Sequence, residues 1–216
     1  MKHFPFKPKA MIFDLDGTLL DTEPLYTRAA QAVLDPYGHT FTLALKRRVM
    51  GGDSVRSAQL TIDEFDLPMT AEEFLDRRKV YLEQLFPQAP EIDGAGRFLE
   101  HIRDLGIAAG LATSSHAHLC DLKIGRRSWK AVFETIVCGD DSELERSKPE
   151  PDIFLLCASR MSADPDRVVA FEDSRNGIEA ARAAGMFVVA LESPYTTPED
   201  LKDADLTVDN FHALIQ

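Results

Sequence analysis

Residues 11–18 of the chain read Met11-Ile12-Phe13-Asp14-Leu15-Asp16-Gly17-Thr18, an apolar run that meets two aspartates and a glycine. A run such as Met11–Leu15 is typical of a strand buried in a parallel sheet. Side chains alternate along a strand, so Asp14 and Asp16 can share one side at its end. This pattern favours a divalent-cation site, because Mg²⁺ prefers oxygen ligands. A polar turn that simply ends the strand is the alternative.

The composition is that of an ordinary globular protein. The chain has 216 residues, of which 44% are hydrophobic and 28% charged;. Its net charge of −12 argues against nucleic acid and anionic membranes as partners;. Its three cysteines, Cys120, Cys138 and Cys157, are widely spaced and predict reduced thiols;. We find no apolar run of membrane-spanning length and no secretory signal in residues 1–9, so we expect a cytoplasmic protein;.

Residues 22–86 carry helical patterns. Thr22 is positioned to cap a first helix with Pro24 in its first turn, and Asp53 to cap a second;. Thr70 and Glu73 form a capping-box pattern before a third helix;. The residues expected to face inward are Leu25, Ala29, Ala32 and Val33 in the first helix, Val55, Ala58, Ile62 and Phe65 in the second, and Phe74, Leu75, Leu82 and Leu85 in the third;.

After residue 90 the pattern changes to alternating strands and helices. The predicted strands are 107–112, 135–138, 168–171 and 187–191, and the predicted helices lie near 98–105, 117–125, 151–160 and 175–184;. Such alternation indicates an α/β fold with a doubly wound parallel sheet. We therefore predict an α/β core made of residues 1–20 and 90–216, interrupted by an all-helical module of residues 21–89. Flexible connectors near 17–22 and 87–93 would let that module act as a lid.

Polar groups follow several of the predicted strands. Thr113-Ser114 follows one strand and Glu172-Asp173 follows another, while Lys148 precedes a helix that Pro151 starts. Ligands of parallel sheets bind beyond the carboxyl ends of the strands. Charged groups brought together there are seldom placed for stability. The joint pattern therefore favours a functional site, although each residue alone also fits a helix cap or a surface position.

The sequence resembles the haloacid-dehalogenase-like hydrolase superfamily. Residues 13–19 are similar to its first motif, Leu111-Ala112-Thr113 to its second, Lys148-Pro149 to its third and 171–174 to its fourth. The resemblance covers the chain after its first ten residues. It implies a Rossmann-like core, with the helical insert as a cap domain.

The family mechanism assigns a role to each matching residue. Asp14 would attack the phosphoryl group and form an aspartyl-phosphate, which water then cleaves. Asp16 would protonate the leaving oxygen and later deprotonate the water. Lys148 would pair with Asp14 and with a phosphoryl oxygen. The presence of Asp16 favours phosphoryl transfer, because the dehalogenating members need no leaving-group acid.

The resemblance also implies ligands for a cation and for the substrate phosphate. Mg²⁺ would be held by Asp14, the backbone carbonyl of Asp16 and Asp173, with Glu172 as a helper. The hydroxyl of Thr113 and the backbone N–H of Ser114 would bind phosphoryl oxygens, together with Lys148.

Two other functions are weighed against a phosphatase. A β-phosphoglucomutase-like enzyme would carry a histidine where this chain has Tyr26 and an arginine where it has Ser54, so both residues favour hydrolysis. An inactive phosphate-binding or interaction protein would have lost Asp14, Asp16, Lys148 or Asp173, and all four are present.

The substrate is expected to be a small phosphorylated metabolite. Short stretches resemble the group of pseudouridine-5′-phosphatases and glycerol-3-phosphatases called GS-one-like; they are 49–51, 67–69, 85–87, 139–141 and 148–154. A sugar, nucleoside or polyol phosphate, with pseudouridine 5′-phosphate among the candidates, fits this resemblance. We expect a monomer or a weak homodimer.

Overall fold

The computed structural model describes residues 4–49 and 54–215, apart from the side chain of Arg47. The chain divides into two compact units, residues 1–21 with 90–216 and residues 22–89. The predicted helix cap Asp53 lies outside the described residues, as do Met50 and Gly51 of one family-like stretch.

The first unit contains a parallel sheet with the strand order β3-β2-β1-β4-β5-β6. Its strands are β1 (Ala10–Phe13), β2 (Ala108–Thr113), β3 (Phe133–Cys138), β4 (Val168–Glu172), β5 (Phe187–Leu191) and β6 (Leu206–Val208). The predicted parallel α/β fold is confirmed. The short edge strand β6 was not predicted.

Helices cover both faces of this sheet. They are α5 (Ala95–Asp104), α6 (Ala117–Ile124), α7 (Asp152–Arg160), α8 (Arg175–Ala183) and the short α9 (Pro198–Leu201). Alternate residues of β1 point to opposite faces: Ile12 joins a core with Phe154 and Ile178, whereas Phe13 packs against Phe98 and Phe171. This two-sided burial explains why the strand sequences are almost wholly apolar.

The position of β1 in the sheet fixes where the polar strand ends meet. Phe13 pairs with Leu111 of β2 on one side and with Phe171 of β4 on the other. Because all three strands run in the same direction, their carboxyl ends lie at the same end of the sheet. Asp14 and Glu172 directly follow the paired residues Phe13 and Phe171, and Thr113 lies two residues after Leu111.

The second unit is helical. It contains α1 (Glu23–Leu34), α2 (Leu43–Val49), α3 (Ser54–Phe65) and α4 (Ala71–Leu85). Its buried cluster consists of Ala30, Val33, Leu34, Ala58, Ile62, Leu67 and Phe74. The capping box of α4 is confirmed: Glu73 N–H donates to the Thr70 hydroxyl, and Thr70 N–H donates to the Glu73 carboxylate.

One prediction for this unit holds only in part, and another is wrong. Thr22 is the N-cap residue of α1, as predicted, but its side chain forms no capping hydrogen bond. Its ψ of −14° is already helical, which is not the extended conformation that a capping hydroxyl requires;. Val55 was expected to face inward but is 55% exposed. The helical period identifies the inward face of a helix, but not the point along the helix where packing begins.

Among the described residues, no helix is long and apolar enough to cross a bilayer.

Candidate active site

Asp14 lies directly after β1 and is almost fully buried, with 6% of its surface exposed. Its backbone N–H donates to the carbonyl of Phe171, which continues the pairing of β1 with β4. Burial raises the pKa of Asp14 from its ordinary value of 3.8 to about 7; Lys148 opposes this shift, while Glu172 and Asp16 add to it. A buried carboxylate with a raised pKa is stabilised by a bound cation or by a proton.

Lys148 supplies the positive charge beside Asp14. Its Nζ donates to Asp14 Oδ1 and to Glu172 Oε1, both at 2.6 Å, and to the carbonyl of Ala112 at 3.1 Å. These three acceptors use all three ammonium donors. Burial acts against the charged form, but Asp14 and Glu172 outweigh it, so the pKa of Lys148 lies above its ordinary value.

Glu172, the last residue of β4, is fully buried and joins the lysine to the start of α8. Oε1 accepts from Lys148, while Oε2 accepts from the backbone N–H groups of Asp173 and Ser174 and from the Ser174 hydroxyl. Since both oxygens are already engaged, this geometry favours Glu172 as a support for the site. Ser174 in turn caps α8 by accepting from Gly177 N–H.

Asp173 completes an acidic cluster. One carboxylate oxygen from each of Asp14, Glu172 and Asp173 lies within 4.8 Å of the others. Gly17 faces Asp173 at a φ of +85°, and a Cβ there would lie 2.1 Å from Asp173 Oδ2. Glycine is therefore required for this close approach of backbone to carboxylate.

The charge of this cluster fits a divalent cation. When ionised, the three carboxylates face the single ammonium of Lys148, which leaves two negative charges in excess. Oxygen donors of this kind are those that Mg²⁺ prefers. The predicted ligands Asp14, Asp173 and Glu172 are thus together, whereas the side chain of Asp16 is not in this group.

The predicted phosphate-binding residues lie at the end of β2. Thr113 is buried, and its hydroxyl accepts from Ser115 N–H at 3.1 Å. Ser114 is exposed and lines a cavity of about 410 Å³ together with Lys148 and His116. Gly139 packs against the Ser114 backbone, where a Cβ would lie 2.3 Å from the Ser114 carbonyl oxygen. The loop therefore holds a hydroxyl and backbone groups beside the lysine.

Asp16 has a partner that sequence reasoning missed. Lys123 of α6 is buried, and its Nζ lies 2.6 and 2.7 Å from the two Asp16 oxygens. It also donates to Ser115 Oγ at 2.8 Å, and that hydroxyl donates to Asp16 Oδ2 at 2.8 Å. The only sequence signal is weak: in a short helix, Lys123 lies three residues after Cys120 and next to Ile124.

A family model described as haloacid dehalogenase-like hydrolase matches residues 11–191. The chain belongs to this family.

Similar proteins of this hydrolase family include phosphatases. A probable pseudouridine-5′-phosphatase of Drosophila melanogaster is 39% identical over 89% of this chain and 85% of its own length. (DL)-glycerol-3-phosphatase 2 of Arabidopsis thaliana is 36% identical over 85% of this chain and 79% of its own. A solved structure, a candidate beta-phosphoglucomutase from Thermotoga maritima, is 31% identical with a TM-score of 0.81, covering 93% of this chain and 94% of that one.

Other aromatic residues and the three cysteines of this hydrolase lie outside the acidic cluster. Trp129 is buried, and its indole N–H donates to Glu91 Oε1 at 2.8 Å. The ring of His39 stacks on Phe65, and Tyr26 packs edge-on against Phe86 in the helical unit. The three cysteines are free and buried.

Proposed function

We propose that this protein is a Mg²⁺-dependent phosphomonoester hydrolase that acts through an aspartyl-phosphate on Asp14. The observation that carries the proposal is the pairing of a buried, raised-pKa aspartate with a buried lysine beside two further carboxylates. The family membership and the phosphatase relatives support the same reaction.

In the first step, an Asp14 oxygen bonds to phosphorus and the bond to the leaving oxygen breaks. Lys148 holds Asp14 and offsets the charge of the phosphoryl group, and Asp16 gives its proton to the leaving oxygen. The Thr113 hydroxyl and the Ser114 N–H donate to phosphoryl oxygens. In the second step, Asp16 takes a proton from water, and that water releases phosphate from Asp14.

The cation would be held by Asp14, Asp173 and the Asp16 carbonyl, with Glu172 in support. When bound, it supplies positive charge that lets a carboxylate approach a phosphate dianion. The excess of two negative charges in the cluster supports this assignment.

The wider organisation is part of the proposal. Residues 1–20 and 90–216 would form the catalytic core, and residues 21–89 a cap that opens and closes. The partner would be a small phosphomonoester, and not nucleic acid or membrane, consistent with the net charge of −12;. We propose a cytoplasmic monomer or weak homodimer.

A panel of sugar, polyol and nucleoside phosphates tests the reaction by phosphate release. Turnover should require Mg²⁺, be abolished by a chelator and vanish in Asp14→Asn. The exposed Asp104→Asn serves as the matched control and should retain full turnover. Undiminished release by Asp14→Asn would rule out this nucleophile.

A sugar-phosphate mutase is the second candidate, because the Thermotoga maritima protein with a TM-score of 0.81 is a candidate beta-phosphoglucomutase. Tyr26 and Ser54 argue against it. Interconversion of glucose 1-phosphate and glucose 6-phosphate, with little free phosphate, would favour the mutase over the hydrolase.

A further inference from the structure

The helical unit contains a cavity of about 220 Å³ to which α1, α2, α3 and α4 all contribute. Hydroxyl groups and two cationic side chains stand among its lining residues. Its polar lining residues include Glu23, Tyr26, Thr27, Lys46 and Arg78.

Lys46, one of the cationic side chains that line this cavity, has protein partners that balance its charge. Lys46 is 5% exposed, and its Nζ donates to the Thr27 hydroxyl at 2.8 Å and to the Glu23 carbonyl at 3.1 Å. It also pairs with the Glu23 carboxylate at 3.1 Å. Its charge is therefore balanced within the unit.

The charge of Arg78, the other cationic side chain of the cavity, is not balanced in this way. Its Nε is buried and has no hydrogen-bond partner, and no carboxylate of the described residues pairs with its guanidinium. The group lies over the Tyr26 ring, with Cζ 5.8 Å from the ring centre. Burial lowers the pKa of Arg78, and Tyr26 opposes this shift. A buried unsatisfied donor costs stability, so its presence calls for an explanation.

We propose that this cavity binds a small anion through Arg78. The guanidinium can donate Nε–H and an Nη–H in parallel to two oxygens of a carboxylate or phosphate group. The anionic group is either the non-reacting part of a phosphomonoester or a separate small anion. Binding of the non-reacting part of a substrate rests on the proposed function, whereas binding of a small anion does not.

Thermal unfolding with and without sulfate, in Mg²⁺-free buffer, tests the anion site. Arg78→Met removes the unsatisfied donor but keeps an apolar contact with Tyr26, so without sulfate it should melt at or above the wild-type temperature. Sulfate should raise the Tm of the wild type more than that of Arg78→Met. Arg77→Met is the matched control: Arg77 is exposed, bonds the Tyr37 hydroxyl, and should behave as wild type.

Equal sulfate effects in the wild type, Arg78→Met and Arg78→Lys would overturn the anion site. Steady-state kinetics then separate the two sources. A KM for 3-phosphoglycerate that rises about tenfold in Arg78→Met, with the KM for glycerol 3-phosphate unchanged, would identify the substrate as the source. Unchanged KM values with a surviving sulfate difference would identify a separate anion. Failure of the wild type to hydrolyse any phosphomonoester would refute the proposed function but leave the thermal test intact.

A second inference rests on Lys123, in the other unit. Its side chain is fully buried, and its ammonium group contacts both oxygens of Asp16 and the Ser115 hydroxyl. Buried ion pairs are weak stabilisers, so stability alone gives little reason to keep this lysine. We infer that Lys123 is a positioning residue that fixes the direction of the Asp16 carboxylate. This inference depends on the proposed role of Asp16 as proton donor to the leaving oxygen.

The leaving group distinguishes positioning from a merely structural role. An alkyl phosphate such as glycerol 3-phosphate needs a proton on its leaving oxygen, whereas 4-nitrophenyl phosphate has a stable leaving anion. In Lys123→Met, kcat/KM should fall at least about tenfold more for the alkyl phosphate than for the aryl phosphate. Ser115→Ala, which keeps the ion pair, should show the same trend to a smaller extent.

Equal losses on both substrates in folded Lys123→Met protein would overturn the positioning role. The matched control is Lys130→Met, which removes an exposed lysine paired with Asp121 and should change neither value. Loss of all activity in the wild type would instead refute the proposed function.

Discussion

At the scale of single residues, Lys148 holds the candidate site together. It joins the end of β1, through Asp14, to the end of β4, through Glu172, and it also binds the carbonyl of Ala112 in β2. Three neighbouring strands are thus linked through one ammonium group. The site is therefore sensitive to the loss of that charge in a way that a surface ion pair is not.

Lys148→Met should destabilise the protein by about 3–5 kcal/mol in the absence of Mg²⁺, because it leaves Asp14 and Glu172 buried without a cation. Urea unfolding measures the change. Lys130→Met is the control, since it breaks an exposed pair and should cost less than about 1 kcal/mol;. Equal effects of the two substitutions would contradict the buried-pair interpretation.

Most site residues could be predicted from the sequence because they stand at strand ends. Asp14, Thr113 and Glu172 each follow or end an apolar run, and parallel strands bring such positions to one edge. Lys123 could not be predicted in this way. It lies within α6, where a lysine normally extends into solvent, and only the tertiary fold brings it to Asp16.

At the scale of elements, the start of α8 determines the geometry of the acidic cluster. Gly177 lies in the first turn of that helix, and a Cβ there would lie 1.8 Å from Glu172 Oε1. The glycine thus makes room for the carboxylate that orients Lys148.

Gly177→Ala should lower kcat/KM on the order of 100-fold, because displacing Glu172 moves Lys148 away from its position. Alanine is intrinsically favoured over glycine in a helix by about 1 kcal/mol, so propensity cannot explain a loss. Steady-state kinetics provide the measurement, and the neighbouring exposed Asn176→Ala is the control. If Gly177→Ala has the kcat/KM of the wild type, the close packing of Gly177 against Glu172 is not needed for activity.

The elements themselves were predicted with uneven success, for physical reasons. β5 was predicted at its observed bounds because Phe187–Leu191 is a continuous apolar run. β6 has three residues and only partial burial, so it gives no comparable pattern. The exposure of Val55 and the missing cap at Thr22 both depend on local packing and backbone geometry, which periodicity does not encode.

At the scale of the whole molecule, we expect the charge of the acidic cluster to link stability to pH and to Mg²⁺. The pKa of Asp14 is raised to about 7, above its ordinary value of 3.8. Its contribution to the stability of the metal-free protein is therefore fully present below about pH 4 and lost as the pH rises through about 7. A bound cation would favour the ionised form instead.

The rise in Tm on adding Mg²⁺ should therefore increase between pH 5 and pH 8, as the proton ceases to compete for Asp14. Differential scanning calorimetry at several pH values measures it. Asp14→Asn lacks the titrating group and should show a smaller dependence on pH. A Mg²⁺ effect independent of pH in the wild type would contradict the raised pKa.

The most direct measurement is acid quenching during turnover, followed by mass spectrometry of the peptides. The peptide that contains Asp14 should carry one added phosphoryl group on that residue, formed only with both substrate and Mg²⁺. A phosphoryl group on a different residue, or steady phosphate release with no modification of Asp14 at any quench time and undiminished in Asp14→Asn, would contradict an aspartyl-phosphate mechanism.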